Sequence, residues 1–270
     1  MIKKNLVLLF SSMILSIGCS EEDKNDSATL RISWDKLPEY SYYLFTSPID
    51  TSVTNRSFNH QPNEGSSLDY TWDGKDINLF SVAIEEWAVE DYNIYPESDG
   101  QGHLYLKRNN QIISFENQDL LIASPQQIVC GKASTYLPFH YGMSLIKVVL
   151  ELDGIDGYTF DIQMKAIKSG YIDIQSGKVI PEGTPGNIYL SQNDTQIKEY
   201  GTVIIPQQLT ENTVLSITGI KSLGEKILRI DYRITPLTLE NSKQYIWNFN
   251  VSGSGITYKS FNKSSRPLNK

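Results

Sequence analysis

Thr135–Leu152, TYLPFHYGMSLIKVVLEL, constrains the fold more than any other stretch of the chain. Its apolar residues alternate, but their parity changes. Leu137, Phe139, Tyr141, Met143 and Leu145 hold odd positions, whereas Ile146, Val148, Leu150 and Leu152 hold even ones. A period of two is strand patterning. Neighbouring side chains on a strand point to opposite faces, so a parity switch carries the apolar side to the other face. That requires a bulge, twist or break near Gly142–Ser144. The stretch therefore predicts a strand that crosses between two packed units.

The chain around it reads as β structure. Tyr is abundant, at 16 residues, and the hydrophobic content of 40% is enough to fill real cores. Thr29–Trp34 alternates with Leu30, Ile32 and Trp34 on one face, which predicts a half-buried strand. Tyr40–Phe45 and Ser67–Trp72 read as strands, with a long polar loop over Ser47–Gly65 between them. Asn78–Tyr92 is strongly apolar; its first part suits a strand or a short helix, and its later part favours a strand throughout. His103–Lys107 and Gln111–Phe115 predict a hairpin across Arg108-Asn109-Asn110. After the crossing strand, Tyr158–Ile167, Gly170–Ile180, Asn187–Ser191, Val203–Ile205, Val214–Ile220, Lys226–Leu237 and Tyr245–Val251 follow as short strands. Turn signals about every 8 to 12 residues, with no crossover helix, indicate sandwiches. The expectation is an all-β chain of two tandem β-sandwich domains, residues 29–134 and 135–262, ending in a polar tail, residues 263–270.

Residues 1–18 read as a targeting segment. Lys3 and Lys4 precede an apolar run, Leu6–Ile17, too short to span a bilayer comfortably. It ends in Ser16-Ile17-Gly18-Cys19, which resembles a bacterial lipobox. Cys19 is the predicted lipid anchor, and residues 19–28 the acidic tether that follows it. Several acyl chains anchor stably where one does not. With Cys19 acylated, only Cys130 remains, so no intrachain disulfide is expected.

Candidate chemistry is sparse. His60, His103 and His140 are far apart and lack paired zinc spacing. Asp153, Asp156 and Asp161 lack calcium-loop spacing. No nucleophile elbow or phosphate-binding glycine pattern occurs. No catalytic residue, metal site or cofactor is expected. A net charge of −7 and a pI near 5.1 make nucleic acid a poor partner. Trp34, Trp72, Trp87 and Trp247 could stack on sugars, although strand spacing favours core roles for them.

Four further pieces occur in order. They are Asp119-Leu120-Leu121-Ile122-Ala123; Phe139-His140 with Ser144–Val148; Val203–Gln208 with its Ile-Pro-Gln; and Leu239–Tyr245, with Ser242 where Gly is usual. Together they resemble the fimbrillin-like family, lipoprotein pilus subunits of Bacteroidales. The resemblance implies two transthyretin-like sandwich domains and a fimbrial subunit at the cell surface, held in the outer membrane by its lipid. It implies other pilus subunits as partners and assembly by strand exchange, in which a protease frees an N-terminal strand and a neighbour's strand fills the groove. Leu30, Ile32 and Trp34 mark the replaceable strand, expected at a sheet edge. Arg56 is the candidate cleavage site, with Arg31 and Lys36 as rivals. Asp26-Ser27-Ala28 resembles a Bacteroidetes O-glycosylation pattern, making Ser27 the candidate acceptor. The ending SSRPLNK departs from the apolar end of a donor strand, since Pro267 would break a ladder; a tip or anchor subunit fits better. A glycan or protein on host or bacterial surfaces is a further partner class. The competing functions are a surface glycan-binding lipoprotein of the outer membrane and, more weakly, a hydrolase.

Overall fold

The computed structural model describes residues 28–35, 37, 39–48, 57–60, 67–72, 75–92, 94–115, 118–129, 131–194, 198–221 and 227–268. In chain order the first half runs β1 (Ala28–Trp34), β2 (Tyr40–Pro48), β3 (Ser57–His60), β4 (Ser67–Trp72), β5 (Ile77–Glu85), α1 (Glu86–Glu90), β6 (Ile94–Ser98), β7 (His103–Arg108), β8 (Gln111–Ile112), β9 (Leu120–Ile128), β10 (Ser134–Leu137) and β11 (Phe139–Tyr141). The second half runs β12 (Ser144–Asp153), β13 (Tyr158–Ala166), β14 (Ser169–Asp173), β15 (Lys178–Glu182), β16 (Gly186–Tyr189), β17 (Ser191–Asp194), β18 (Lys198–Ile204), β19 (Gln208–Leu209), β20 (Val214–Lys221), β21 (Ile227–Arg233), β22 (Leu237–Thr238), β23 (Lys243–Ser252) and β24 (Gly255–Ser265).

The chain is nearly all β. Three sheets form the N-terminal unit. Sheet A has the order β10-β1-β4, sheet B the order β11-β9-β5-β2-β3, and sheet C the order β15-β14-β7-β6 with β8 beside β7. Sheet B lies between the other two. One of its faces meets sheet A in a core holding Leu30, Ile32, Leu44, Leu79 and Leu121. The other meets sheet C in a core holding Phe45, Phe80, Val82, Ile122 and Ile172. Burial on both faces explains why β5 and the start of β9 read as unbroken apolar runs rather than alternating ones.

In the C-terminal unit, sheet D (β17-β18-β12-β23-β24) faces sheet E (β16-β13-β20-β21) across a core centred on Ile146, Val148, Ile217, Trp247 and Phe249. The pair β19–β22 lies beside them. The units share material, because the hairpin β14–β15 leaves the C-terminal unit to complete sheet C. There Ile172 pairs with Leu104, and Ile172, Ile174 and Val179 join the N-terminal core.

The crossing stretch visits three sheets. β10 lies in sheet A, β11 in sheet B and β12 in sheet D. The break falls at Gly142, whose N–H donates to the Leu120 carbonyl. A Cβ there would stand 2.5 Å from Leu120 Cδ1 and 2.6 Å from Ile122 Cδ1. The parity switch also has a physical cause. Leu145 and its register partner Val203 point into the N-terminal core, whereas Ile146 and Ile204 point into the C-terminal one. Adjacent rungs of sheet D thus cover the two cores in turn.

Several expected elements differ. Asn78–Tyr92 is not one strand, because α1 begins at Glu86, where Glu and Ala favour helix and Ala88 is buried. The polar loop Ser47–Gly65 contains β3, whose backbone pairs with β2 at the sheet edge. Gln111–Phe115 is a strand only over β8, and Phe115 turns into the core. The hairpin turn is as expected: Asn109 and Asn110 both hold positive φ, +50° and +63°. Leu152 is exposed at the end of its strand. Residues 263–265 of the expected polar tail continue β24.

Candidate functional site

β1 lies centrally in sheet A. It runs antiparallel to β4 from Ala28↔Trp72 to Ser33↔Ser67, and parallel to β10 from Arg31↔Ser134 to Trp34↔Leu137. The edge position expected from the sequence is therefore corrected. A strand enclosed on both sides leaves a two-walled slot when it is removed. Leu30 and Ile32 are fully buried, and the Trp34 ring stands 5.3 Å from that of Tyr42. Arg31 projects outward from the strand and donates from Nη2 to Ser67 Oγ at 3.2 Å. Cys19, Ser27, Lys36, Arg56 and Cys130 lie outside the described residues.

The four sequence pieces meet around the seam between the units. Asp119 receives two hydrogen bonds from Arg266, one from Nη1 to Oδ1 at 3.0 Å and one from Nη2 to Oδ2. The guanidinium carbon sits 3.6 Å from the centre of the Tyr141 ring, adding a cation–π contact. The Arg266 N–H donates to the Ser242 carbonyl, and Leu268 packs against the core beside sheet A. The C-terminal segment is thus fastened to the N-terminal unit. Nothing in the spacing of Asp119 and Arg266 pairs them; their only signal was an Asp opening an apolar strand.

Burial dominates the electrostatics of this seam. It raises the carboxyl pKa of Asp119, against the pull of Arg266, and that of Glu85, which the Asp119 charge raises further. It also pushes the Tyr40 hydroxyl far up, with Asp119 and Glu85 adding to the effect. Burial holds the Tyr43 hydroxyl up at about 12.

Ser242 explains the glycine usual at its place. Its φ is +55°, a conformation that glycine adopts without strain. Its hydroxyl donates to the Tyr141 carbonyl at 2.9 Å. Tyr245, three residues on, is fully buried; its hydroxyl accepts from the Glu240 N–H and donates to the Thr238 carbonyl. Gln207, from the Ile-Pro-Gln piece, clasps the Ile167 backbone at both its N–H and its carbonyl. These residues fix the chain where the units meet. His140 is half-buried on β11, and burial lowers its pKa. Trp34 and Trp247 are core residues, whereas Trp87 is exposed. Among the described residues no group of three His, Cys, Asp or Glu is placed to hold a metal.

The fimbrillin-like family model matches residues 92–261. The fold is similar to a candidate cell adhesion protein from Bacteroides ovatus, at 9% identity and TM-score 0.60, covering 91% of this chain and 100% of that one. A candidate cell adhesion protein from Bacteroides uniformis matches at 12% identity and TM-score 0.58, covering 89% and 99%. A candidate adhesin from Bacteroides ovatus matches at 13% identity and TM-score 0.53, covering 91% and 97%. Among curated protein sequences none matches. The chain belongs to the fimbrillin-like family.

Proposed function

We propose that the protein is a cell-surface fimbrial subunit of tip or anchor type, held in the outer membrane by a lipid on Cys19 and joined to a neighbouring subunit at the β1 slot. The observation that carries this reading is the placement of β1 between β4 and β10. An incoming strand with the same alternation would meet backbone partners on both sides and three apolar seats. Main-chain pairing supplies affinity, and alternate pockets supply specificity. Leu30, Ile32 and Trp34 contribute roughly 2 kcal/mol each, and each ladder bond about 1 kcal/mol net. Cleavage at Lys36, between β1 and β2, would free the strand alone, whereas cleavage at Arg56 would leave β1 joined to β2.

The tip or anchor assignment draws on the other end of the chain. A donor strand must leave its own subunit, but here Arg266 and Leu268 are fastened to the N-terminal unit. The anchor draws on the basic start, the apolar run and Ser16-Ile17-Gly18-Cys19.

The test is to delete residues 20–36 and then supply the sequence of residues 28–36 as a peptide. The expected result is a lowered melting temperature that this peptide restores, while a peptide with Leu30, Ile32 and Trp34 changed to Ser does not. A deletion that leaves the melting temperature unaltered and binds no peptide overturns strand exchange at β1.

A further inference from the structure

At the end of β5 the chain turns into α1 and carries two aromatic rings away from the core. Trp87 is 41% exposed and Tyr92 49%, and their rings meet edge to face at 5.6 Å. Isolated exposed aromatics need no explanation, but this pair forms one wall of a cleft of about 440 Å³. Such a volume lies within the range of small-molecule sites. The cleft is lined further by Ile94 and Arg108, register partners on β6 and β7, and by Ser114 and Gln118 after β8.

Three features of the cleft point to a ligand. First, the Trp87 and Tyr92 rings brace each other edge to face. Second, Gln118 Oε1 is buried and has no hydrogen-bond partner among the described residues. A buried, unsatisfied acceptor is costly, so the Gln118 amide gains by turning its oxygen out to a ligand hydroxyl or amide N–H in the cleft. Third, the Arg108 guanidinium is exposed and has no ion-pair partner among the described residues. Guanidinium pairs with carboxylate through two parallel hydrogen bonds.

We infer that this cleft binds a pyranose sugar carrying a carboxylate, with the sugar's C–H face against Trp87 and Tyr92, its acid on Arg108 and a hydroxyl donating to Gln118. A ring that is apolar on its faces, rich in donors at its rim and singly charged matches all three features. A phosphate fits less well, since Glu86, Glu90 and Asp91 stand on and beside α1, and their field opposes a higher negative charge. This inference concerns the partner class of adhesion and does not depend on strand exchange at β1.

The full chain, purified in detergent, is tested by saturation-transfer NMR and affinity titration. The probes are sialyllactose and a glucuronic-acid disaccharide, with lactose and cellobiose as neutral counterparts. The expected result is binding of the acidic sugars at least tenfold tighter than of the neutral ones. Trp87→Ala and Arg108→Gln should each weaken that binding at least tenfold. Circular dichroism reports whether each variant stays folded; should Trp87→Ala lose structure, Arg108→Gln decides, since that side chain is exposed on the surface. No binding of acidic sugars, equal binding of neutral ones, or unchanged binding in folded Arg108→Gln would overturn the inference.

Discussion

Asp119 and Arg266, 147 residues apart in sequence, close a two-pronged ion pair that is almost sealed from solvent. The pair ties the C-terminal segment to the residue just before β9. Breaking a buried pair from one side leaves an uncompensated charge. Arg266→Ala should therefore lower stability by roughly 3–5 kcal/mol. The double change Asp119→Asn with Arg266→Met should cost much less than either single change predicts. Urea melts of the four proteins measure this; a double change that costs the sum of the two single changes would refute a coupled clamp.

Ser242 offers a sharper comparison. Its left-handed backbone costs roughly 1–2 kcal/mol for a residue with a Cβ, and its hydroxyl bond to Tyr141 returns about 1 kcal/mol. Ser242→Ala keeps the strain and loses the bond, so it should destabilise by about 1 kcal/mol. Ser242→Gly loses both and should be close to neutral. Thermal melts showing Gly to be the worse replacement would contradict this account.

The carboxyl of Glu85 supplies a pH prediction. Burial, and then the Asp119 charge, raise its pKa in the folded protein. The native state therefore binds this proton more readily than the unfolded chain does just above the usual carboxylate range. Stability from this group is full in acid and is lost as pH rises through the raised value. The parent should gain stability relative to Glu85→Gln on going from pH 7 to pH 5. Denaturation midpoints of both proteins at the two pH values provide the check, and a constant gap between them would count against it.

Val148 stands for the core face of the crossing stretch. It is fully buried with Ile146 and Leu150 between sheets D and E, as the even-numbered alternation predicts. Val148→Asp should cost at least about 3 kcal/mol, because it buries an unpaired charge. A melting temperature within a degree or two of the parent's would show that the face is misassigned.

How far the sequence could be read follows from what each residue needed. Val148 and Leu30 were legible because alternation is local. The crossing at Gly142 was legible because a parity change has few physical outcomes. β3 was not, because an edge strand can be held by its backbone ladder alone. α1 escaped because a five-residue helix is too short to show periodicity. The Asp119–Arg266 clamp was invisible because only the folded chain brings its ends together. Trp87 resembled the core tryptophans in pattern, and only the turn into α1 set it outside.

The same limit applies to the boundary placed between residues 134 and 135. The core between sheets B and C draws Met143, Ile172, Ile174, Val179, Val203 and Ile205 from beyond that point. At roughly 2 kcal/mol for each buried side chain, their loss removes about 12 kcal/mol, comparable to the whole stability of an ordinary domain. A fragment ending at Ser134 would also lack β11 from the edge of sheet B and most of β10 beside β1. We therefore expect residues 20–134 alone to show no cooperative thermal transition and no near-ultraviolet circular dichroism. The whole chain should unfold without releasing a stable N-terminal unit, because β14 and β15 must leave sheet C when the C-terminal unit opens. Calorimetry of the intact protein and of the fragment tests both statements. A cooperative melt of the fragment near the parent's temperature would mean that the borrowed hairpin and seam residues only decorate a core complete without them.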